Sequence, residues 1–347
     1  MKKITCFVLL SICILNSSCS TGEAAAAAVQ ILGGSSQAPL FLGCMAVSEN
    51  EVVFEFSQPV KVKSISFEPT LTINMVEDGS MGGNLRPSGT APGTVRVKFE
   101  ESPDPGVEIK ADLLAEDENR NTINVLAPFR ARNNRMPDLV INELRTEYSN
   151  PRTEYIEFKM LTAGNLGAMR VFIAGNNKPV IYEFFPVEVQ EGEYVVLHLR
   201  TVEADSRNEY GDDLTESGGR DSSPTARDFW IPGNTKLLHK ANSFVYVVDQ
   251  DDHVLDAVMI SENPDAWWNK EHLAEAANFL FEQGAWKSID GKICRPADAV
   301  RSAGTTATRT ICRDETRENT HTAADWYITT TSSSTPGGPN NPKRYLD

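Results

Sequence analysis

Histidine, cysteine, positive charge and long apolar runs are all scarce in this chain. Five His in 347 residues, none paired at metal-binding spacing, leave little for zinc or imidazole chemistry. Glu271-His272-Leu273-Ala274-Glu275 sets one His among carboxylates, but the second His of the zinc-protease patterns is missing, so surface ion pairing is expected there. Six Cys are too few for a scaffold built on disulfides. The sequence has no G-x-S-x-G, no P-loop and no C-x-x-C. Only 33 Lys and Arg stand against 48 Asp and Glu, a net charge of −15. That balance excludes a broad nucleic-acid surface, because neutralising phosphates needs clustered cations. The longest apolar run, Ile4 to Leu15, has 12 residues, too short for a bilayer that needs about 20.

What is present suffices for folded cores. Hydrophobic residues make up 40% of the chain, against ~45–50% in ordinary globular proteins, and at roughly 150 residues per domain the length suggests two domains. The N-terminus carries Lys2 and Lys3 ahead of the apolar run, then Asn16-Ser17-Ser18 before Cys19, in the manner of a signal peptide. It resembles a bacterial lipoprotein signal in which Cys19 becomes the lipidated first residue. The usual Leu three places before the Cys is replaced by Asn16, with Leu15 one place further out, a relaxation found in spirochaetes. The resemblance implies a signal peptide over 1–18, a lipid-anchored envelope location (outer membrane or periplasmic face), and a mature charge of −17 once two lysines are lost. Residues 19–38 are rich in Ala, Gly and Ser and are expected to form a flexible tether.

From Pro39 the texture becomes β. Val52, Phe54 and Phe56 alternate, as do Val60 and Val62 with Lys61 and Lys63. Val95, Val97 and Phe99 alternate with charged neighbours, and Val107, Ile109, Ala111 and Leu113 do the same. Period-2 patterns between Pro- and Gly-rich turns predict strands buried on one face and a β-sandwich over 39–136. "SENEVVFEFSQPVKV" and "VEIKADLLAEDENRNTI" resemble bacterial Ig-like domains of surface-layer and adhesion proteins, which implies a spacer or binding role. Arg130 to Pro137 is a polar, basic stretch where a domain boundary is expected.

The second half, 137–347, carries "LVINEL", "EYIEF", "GEYVVL", "FVYVVDQDDHVLDAV" and "ADWYITTTSSSTPGGPN" in order. That succession resembles the lamin-tail domain, which implies a second Ig-like sandwich acting by binding or structural organisation. Two insertions lengthen it. The polar one, near 201–232, is expected to be a mobile loop. The other, near 262–308, predicts a helix with Asn263 at the N-cap, Pro264 at the first position and Gly284 at the C-cap. Trp267, Ala274, Ala277 and Phe281 would share a helix face, with Leu273 and Leu280 alongside, packed across the open side of the sandwich. The fold class expected is therefore all-β, with two Ig-like sandwiches in tandem and a helical insertion in the second.

Few residues invite chemistry. Asp249-Gln250-Asp251-Asp252 starts like a Ca²⁺ loop, but His253 and Val254 stand where an oxygen ligand and Gly are wanted, so a solvated hairpin turn is expected. Asp212 and Asp213, with Glu209 and Glu216, are expected in a solvated loop. Cys294 and Cys312 are a possible disulfide, closing a loop worth roughly 3 kcal/mol on the chain-entropy model, or both stay reduced. Cys44 is expected as a buried apolar residue. No catalytic residue, metal site or cofactor is assigned. The expected function is binding or structural interaction by a non-enzymatic envelope protein, held to the membrane by its acyl anchor and meeting a protein or cell-surface partner. The alternatives are an extracellular, nuclease-like hydrolase and a Ca²⁺-dependent or carbohydrate-binding adhesion module with Trp230, Trp267 or Trp268 as stacking platforms.

Overall fold

The computed structural model describes residues 28–32, 38–81, 93–175 and 178–346. The signal peptide and Cys19 lie outside the described residues. In the first half, Ala28–Leu32 (β1), Phe41–Ser48 (β2), Glu51–Phe56 (β3), Lys61–Glu68 (β4), Ile73–Met81 (β5), Gly93–Phe99 (β6), Glu108–Glu116 (β7) and Thr122–Arg130 (β8) are strands. They form two four-stranded antiparallel sheets, ordered β1-β8-β7-β4 and β2-β3-β6-β5. The alternating apolar residues of β3, β6, β7 and β8 meet in one core, where Phe67 stands edge-on to Phe99 at 5.0 Å and to Phe129 at 6.2 Å. Each large side chain buried there contributes about 1.5–3 kcal/mol relative to exposure. The Gln-Pro-Val turn before β4 is tied to the Asp/Asn turn after β7, because Gln58 Nε2 donates to Asp117 Oδ2 at 2.8 Å. One expectation fails: Ala28–Leu32, inside the stretch expected to be a tether, pairs antiparallel with β8 and extends that sheet's edge.

The second half adds Leu139–Arg145 (β9), Tyr155–Met160 (β10), Gly164–Asn165 (β11), Arg170–Ala174 (β12), Val180–Glu183 (β13), Glu188–Val189 (β14), Tyr194–His198 (β15), Arg227–Trp230 (β16), Asn242–Val248 (β17) and Val254–Ser261 (β18). A helix, Glu271–Glu282 (α1), precedes the short strands Val300–Arg301 (β19), Ile311–Arg313 (β20) and Trp326–Ile328 (β21). A six-stranded sheet, β16-β15-β10-β9-β20-β21, faces a five-stranded one, β13-β12-β17-β18-β19, and β11 pairs with β14. The molecule is all-β with one α-helix among the described residues, and its two larger apolar cores lie in the two halves. No described helix is long and apolar enough to cross a membrane.

The second insertion packs where expected but starts later. Asn263 Oδ1 accepts from Asp265 N at 3.1 Å, a local Asx turn in place of a helix cap. The helix begins at Glu271, leaving Trp267 exposed ahead of it. Leu273, Ala276, Ala277 and Leu280 are its buried residues. They lie against β12, β17 and β18, with Phe279 near Tyr246 at 5.7 Å. Gly284 (φ +69) follows the C-cap: its N–H donates to Phe281 O at 3.0 Å and that of Ala285 to Leu280 O at 2.9 Å. This is a Schellman closure, whose left-handed residue favours glycine.

The junction at 130–137 is docked. Arg132 grips Asp251 through two nitrogens and Arg135 grips Glu188 likewise, while Arg130 pairs with Glu183. Asn133 is buried, and its Nδ2 donates to Asn165 O and Gly167 O, both at 2.7 Å. Its basic character is therefore used in holding carboxylates of the second sandwich.

Candidate functional site

The polar side of the six-stranded sheet is the unexpected feature of the molecule. Along β9, β10 and β15 the side chains alternate: Leu144, Ile156, Phe158, Val195 and Leu197 enter the core. Glu143, Arg145, Tyr155, Glu157 and His198 face the other way. In an isolated sandwich that face would meet water. Here Glu143, Tyr155 and Glu157 have no solvent exposure, and Arg145 and His198 have almost none. The first insertion and the chain beyond β21 cover them. The insertion is therefore built in and not a mobile loop. Arg227–Trp230 joins the sheet parallel to β15, and Glu209, fully buried, accepts Ser217 N at 3.0 Å and Asp228 N at 2.7 Å. Glu209 thus clamps the insertion, apart from the solvated acids Asp213 and Glu216.

Register fixes the arrangement. Glu157 of β10 lies directly opposite Glu143 of β9, and Glu143 lies opposite Cys312 of β20. Glu143 accepts Thr310 Oγ1, and Thr335 N at 3.1 Å. Glu157 accepts Asn142 Nδ2 at 2.8 Å and Gly337 N at 2.6 Å. Burial, and then the charge of Glu143, pushes the Glu157 carboxyl well above the usual range, which its hydrogen bonds only partly offset. Glu143 is also raised by burial, against the bonds from Thr310 and Thr335. Burial and the adjacent Glu143 likewise hold Cys312 as a thiol.

Beside this row lies a second network. His198 Nδ1 is 2.9 Å from Thr153 Oγ1, and its Nε2 is 2.8 Å from Asp228 Oδ1. The order is that of a nucleophile–base–acid relay. Thr153, however, has no exposure, and its hydroxyl also donates to Asp221 at 3.1 Å. Asp221 takes Arg145 Nη1 through both oxygens, at 2.9 and 2.7 Å, and Trp230 stacks on the His198 ring at 3.7 Å. The relay atoms are closed into a structural web. A third buried link joins the two sheets: Asp256 of β18 takes Arg313 of β20, and also Ile141 N at 2.7 Å.

The residues singled out from sequence are dispersed. Cys294 and Cys312 are free thiols, which corrects the possible bridge. Cys294 Sγ points to Trp286 O at 3.9 Å and Cys312 Sγ to Thr310 Oγ1 at 3.7 Å. Cys294 is pushed up to about 12 by burial. Cys44 is half-buried, its thiol raised by burial to about 11. His272 makes no ion pair of the expected kind; its Nε2 meets Gly175 O at 2.8 Å and pins the helix. The hairpin turn is confirmed between β17 and β18, and Asp249, Asp251 and His253 offer ligand atoms within 4.8 Å of one another. Asp249 already accepts the N–H groups of Asp251 and His253, and Asp251 and Asp252 are taken by Arg132 and Arg170. Of the three tryptophans, Trp230 is buried, Trp268 donates to Cys294 O at 2.9 Å, and Trp267 is 68% exposed.

Sequence reasoning missed the Glu143–Glu157 row, although one signal was available. The strands offer polar side chains on alternate positions, and both the insertion and the C-terminal "TTTSSSTPGGPN" are polar throughout. A polar cover of that length needs a polar face beneath it.

An uncharacterized protein of Treponema pallidum (strain Nichols) is 27% identical over 240 residues, covering 67% of this chain and 61% of the relative. The chain therefore spans less than two thirds of that relative's length, and the similarity fits the spirochaete-like N-terminus. Residues 137–328, more than half the chain and ending where β21 ends, match the family model TP_1001_2nd, described as "protein second domain". The chain belongs to that family.

Proposed function

We propose that this chain is a lipid-anchored protein of the cell envelope, acting by binding or structural interaction and not by catalysis, with its second sandwich a lamin-tail domain. One observation carries the reading. Glu143, Glu157, Thr153, His198 and Asp228 of that sandwich are buried and hydrogen-bonded within it, whereas several large apolar side chains stand at its surface. Phe185 is 60% exposed, Trp267 68% and Ile181 51%, and Phe185 meets Tyr210 edge-on at 5.7 Å. Aromatic side chains held in place at a surface are what interfaces use as anchors. The five segments that resemble the lamin-tail pattern coincide with β9, β10, β15, the β17–β18 hairpin and β21, which supports that finer reading.

The test is cross-linking of the full chain in its native envelope, followed by identification of captured proteins. Wild type should capture a defined partner that Phe185→Ala or Trp267→Ala loses. Capture unaffected by both variants, together with hydrolytic turnover by the purified chain, would overturn the reading. Mass spectrometry of the mature N-terminus should find acylated Cys19; an unmodified terminus removes the anchor. A Ca²⁺-dependent adhesion role rests on the Asp249, Asp251 and His253 group. Its prior engagement with Arg132 and backbone N–H groups argues for no change in melting temperature in millimolar Ca²⁺.

A further inference from the structure

Beyond β21 the chain leaves the sheet edge, crosses the polar face and returns. Thr329 and Arg344 form an antiparallel bridge, flanked by Thr330 N to Lys343 O at 3.2 Å and Tyr345 N to Ile328 O at 2.8 Å. Residues 329–344 are thus an Ω-shaped strap with its ends together. Its base is bolted. Arg344 pairs with Asp314 at 2.6 Å and stacks on Tyr327 at 4.7 Å, and Tyr345 carries the Arg309 guanidinium at 4.1 Å. Its tip is held differently. Residues 330–341, TTSSSTPGGPNN, offer no large apolar side chain, so hydrogen bonds do the holding. Thr335 N and Gly337 N donate to Glu143 and Glu157. Asn340 Nδ2 donates to Asn142 O at 3.0 Å, and Ser223 Oγ donates to Pro336 O at 3.0 Å.

The two carboxylates under the tip are cross-strand partners without solvent exposure. Like charges directly opposed are unfavourable, and burial multiplies the cost. Among the described residues the nearby cations relieve them only in part: the charge of Arg145 lowers Glu143, less than burial raises it. Arg145 is committed to Asp221, and Lys159 is committed to Glu315 at 2.6 Å. The other titratable neighbours are Tyr155 on β10, Cys312 on β20, Tyr194 on β15, Tyr327 on β21 and Glu315 after β20. Each of these is neutral or negative when it titrates, so none offers a positive charge. Sheet, core and the first insertion enclose the pair on its remaining sides, and the strap tip is the cover that donates to it directly. We propose that the strap is a pH-operated lid: it stays closed while the Glu143–Glu157 pair keeps a proton, and its tip lifts when the pair loses it. The raised carboxyls of both residues are in keeping with this.

The test is hydrogen exchange of the full chain, followed from mildly acid to mildly alkaline pH and corrected for intrinsic exchange. Linkage through one proton predicts that Thr335 and Gly337 lose about tenfold of protection per pH unit across the titration. The amides of β10 and β15 should keep theirs. Glu143→Gln is the informative variant, because its amide can donate to Thr310 Oγ1 and still accept from Thr335. It should flatten the pH dependence of the strap. Infrared spectroscopy of the wild type supplies a readout independent of any variant: a protonated carboxyl band should fade over the range in which the strap opens. The proposal is overturned if strap protection is pH-independent, if Glu143→Gln leaves the profile unchanged, if β10 opens together with the strap, or if no protonated carboxyl accompanies the closed state.

Discussion

The Asp256–Arg313 link offers the sharpest test of what holds the second sandwich together. Asp256 is 2% exposed on β18 of one sheet, and Arg313 reaches it from β20 of the other. Arg313 Nε also donates to Ile141 O at 2.7 Å, and Ile141 N returns to Asp256 at 2.7 Å. The guanidinium lies 4.4 Å from the centre of the Trp326 ring. Arg313→Ala strands a buried carboxylate with backbone donors but no countercharge, which should cost about 3–5 kcal/mol at neutral pH. Burial raises the Asp256 carboxyl, and Arg313 lowers it only in part. A folded pKa above the unfolded one means stability that is full below the unfolded value and declines as pH rises through the folded value. Losing Arg313 raises Asp256 further, so the decline runs on to higher pH and the penalty of Arg313→Ala grows with pH. At acid pH, once protonation has removed the stranded charge, about 1–3 kcal/mol should remain for the lost hydrogen bonds. Asp256→Asn in the Arg313→Ala background should recover much of the difference at neutral pH. Urea unfolding followed by tryptophan fluorescence measures this selectively, since all five Trp lie between residues 230 and 326. A cost below about 1 kcal/mol at neutral pH, or one equal at both pH values, would refute the reasoning.

Other outcomes follow from the same kind of accounting. Gly284→Ala puts an L-residue at φ +69 with open space around its Cβ, so only the left-handed penalty of about 1–2 kcal/mol applies, read as a lower melting temperature. Gly337→Ala should be worse, because its Cβ would lie 2.5 Å from Ser223 Oγ and Thr225 Oγ1 at φ +82. Exchange at the strap tip would rise with the sheet unchanged. Asp117 is raised by burial but more strongly lowered by bonds from Asn121, Asn119 and Gln58. Its stabilisation is therefore present above the unfolded pKa and lost as pH falls, and Asp117→Ala should remove that acid-side loss from the first domain's melting profile. Asn133→Ala should cost about 1–3 kcal/mol and loosen the junction, since its amide bonds are buried. Arg135→Ala, at an exposed pair, should cost under about 1 kcal/mol and less in salt.

What could be read from the sequence, and what could not, divides along range. Val95, Val97 and Phe99 were legible because a one-sided strand writes its burial into alternate positions, needing no knowledge of its partner. Gly284 was legible because a Schellman closure is complete within six residues. Asn263-Pro264 misled because an Asn side chain serves an Asx turn as readily as a helix cap, and only packing decides between them. Trp267 consequently stands outside the helix face assigned to it. Cys294 and Cys312 share a spacing that permits a bridge, but their side chains belong to different surroundings.

The polar face was illegible for a related reason. Glu157 in a strictly alternating strand reads as a solvated position, and strand pattern alone distinguishes facing water from facing a polar cover no better than this. What turns it into a buried site is Gly337, 180 residues away, together with an insertion whose composition resembles that of a free loop. Its Asp, Ser and Thr content is what a covering segment needs when the surface beneath offers Glu, Arg and His, because each buried polar atom must find a partner. A long polar insertion in an otherwise ordinary sandwich is thus ambiguous by itself. The ambiguity resolves when the strands it could cover carry acids and bases on the same alternate positions, as β9, β10 and β15 do with Glu143, Arg145, Glu157 and His198.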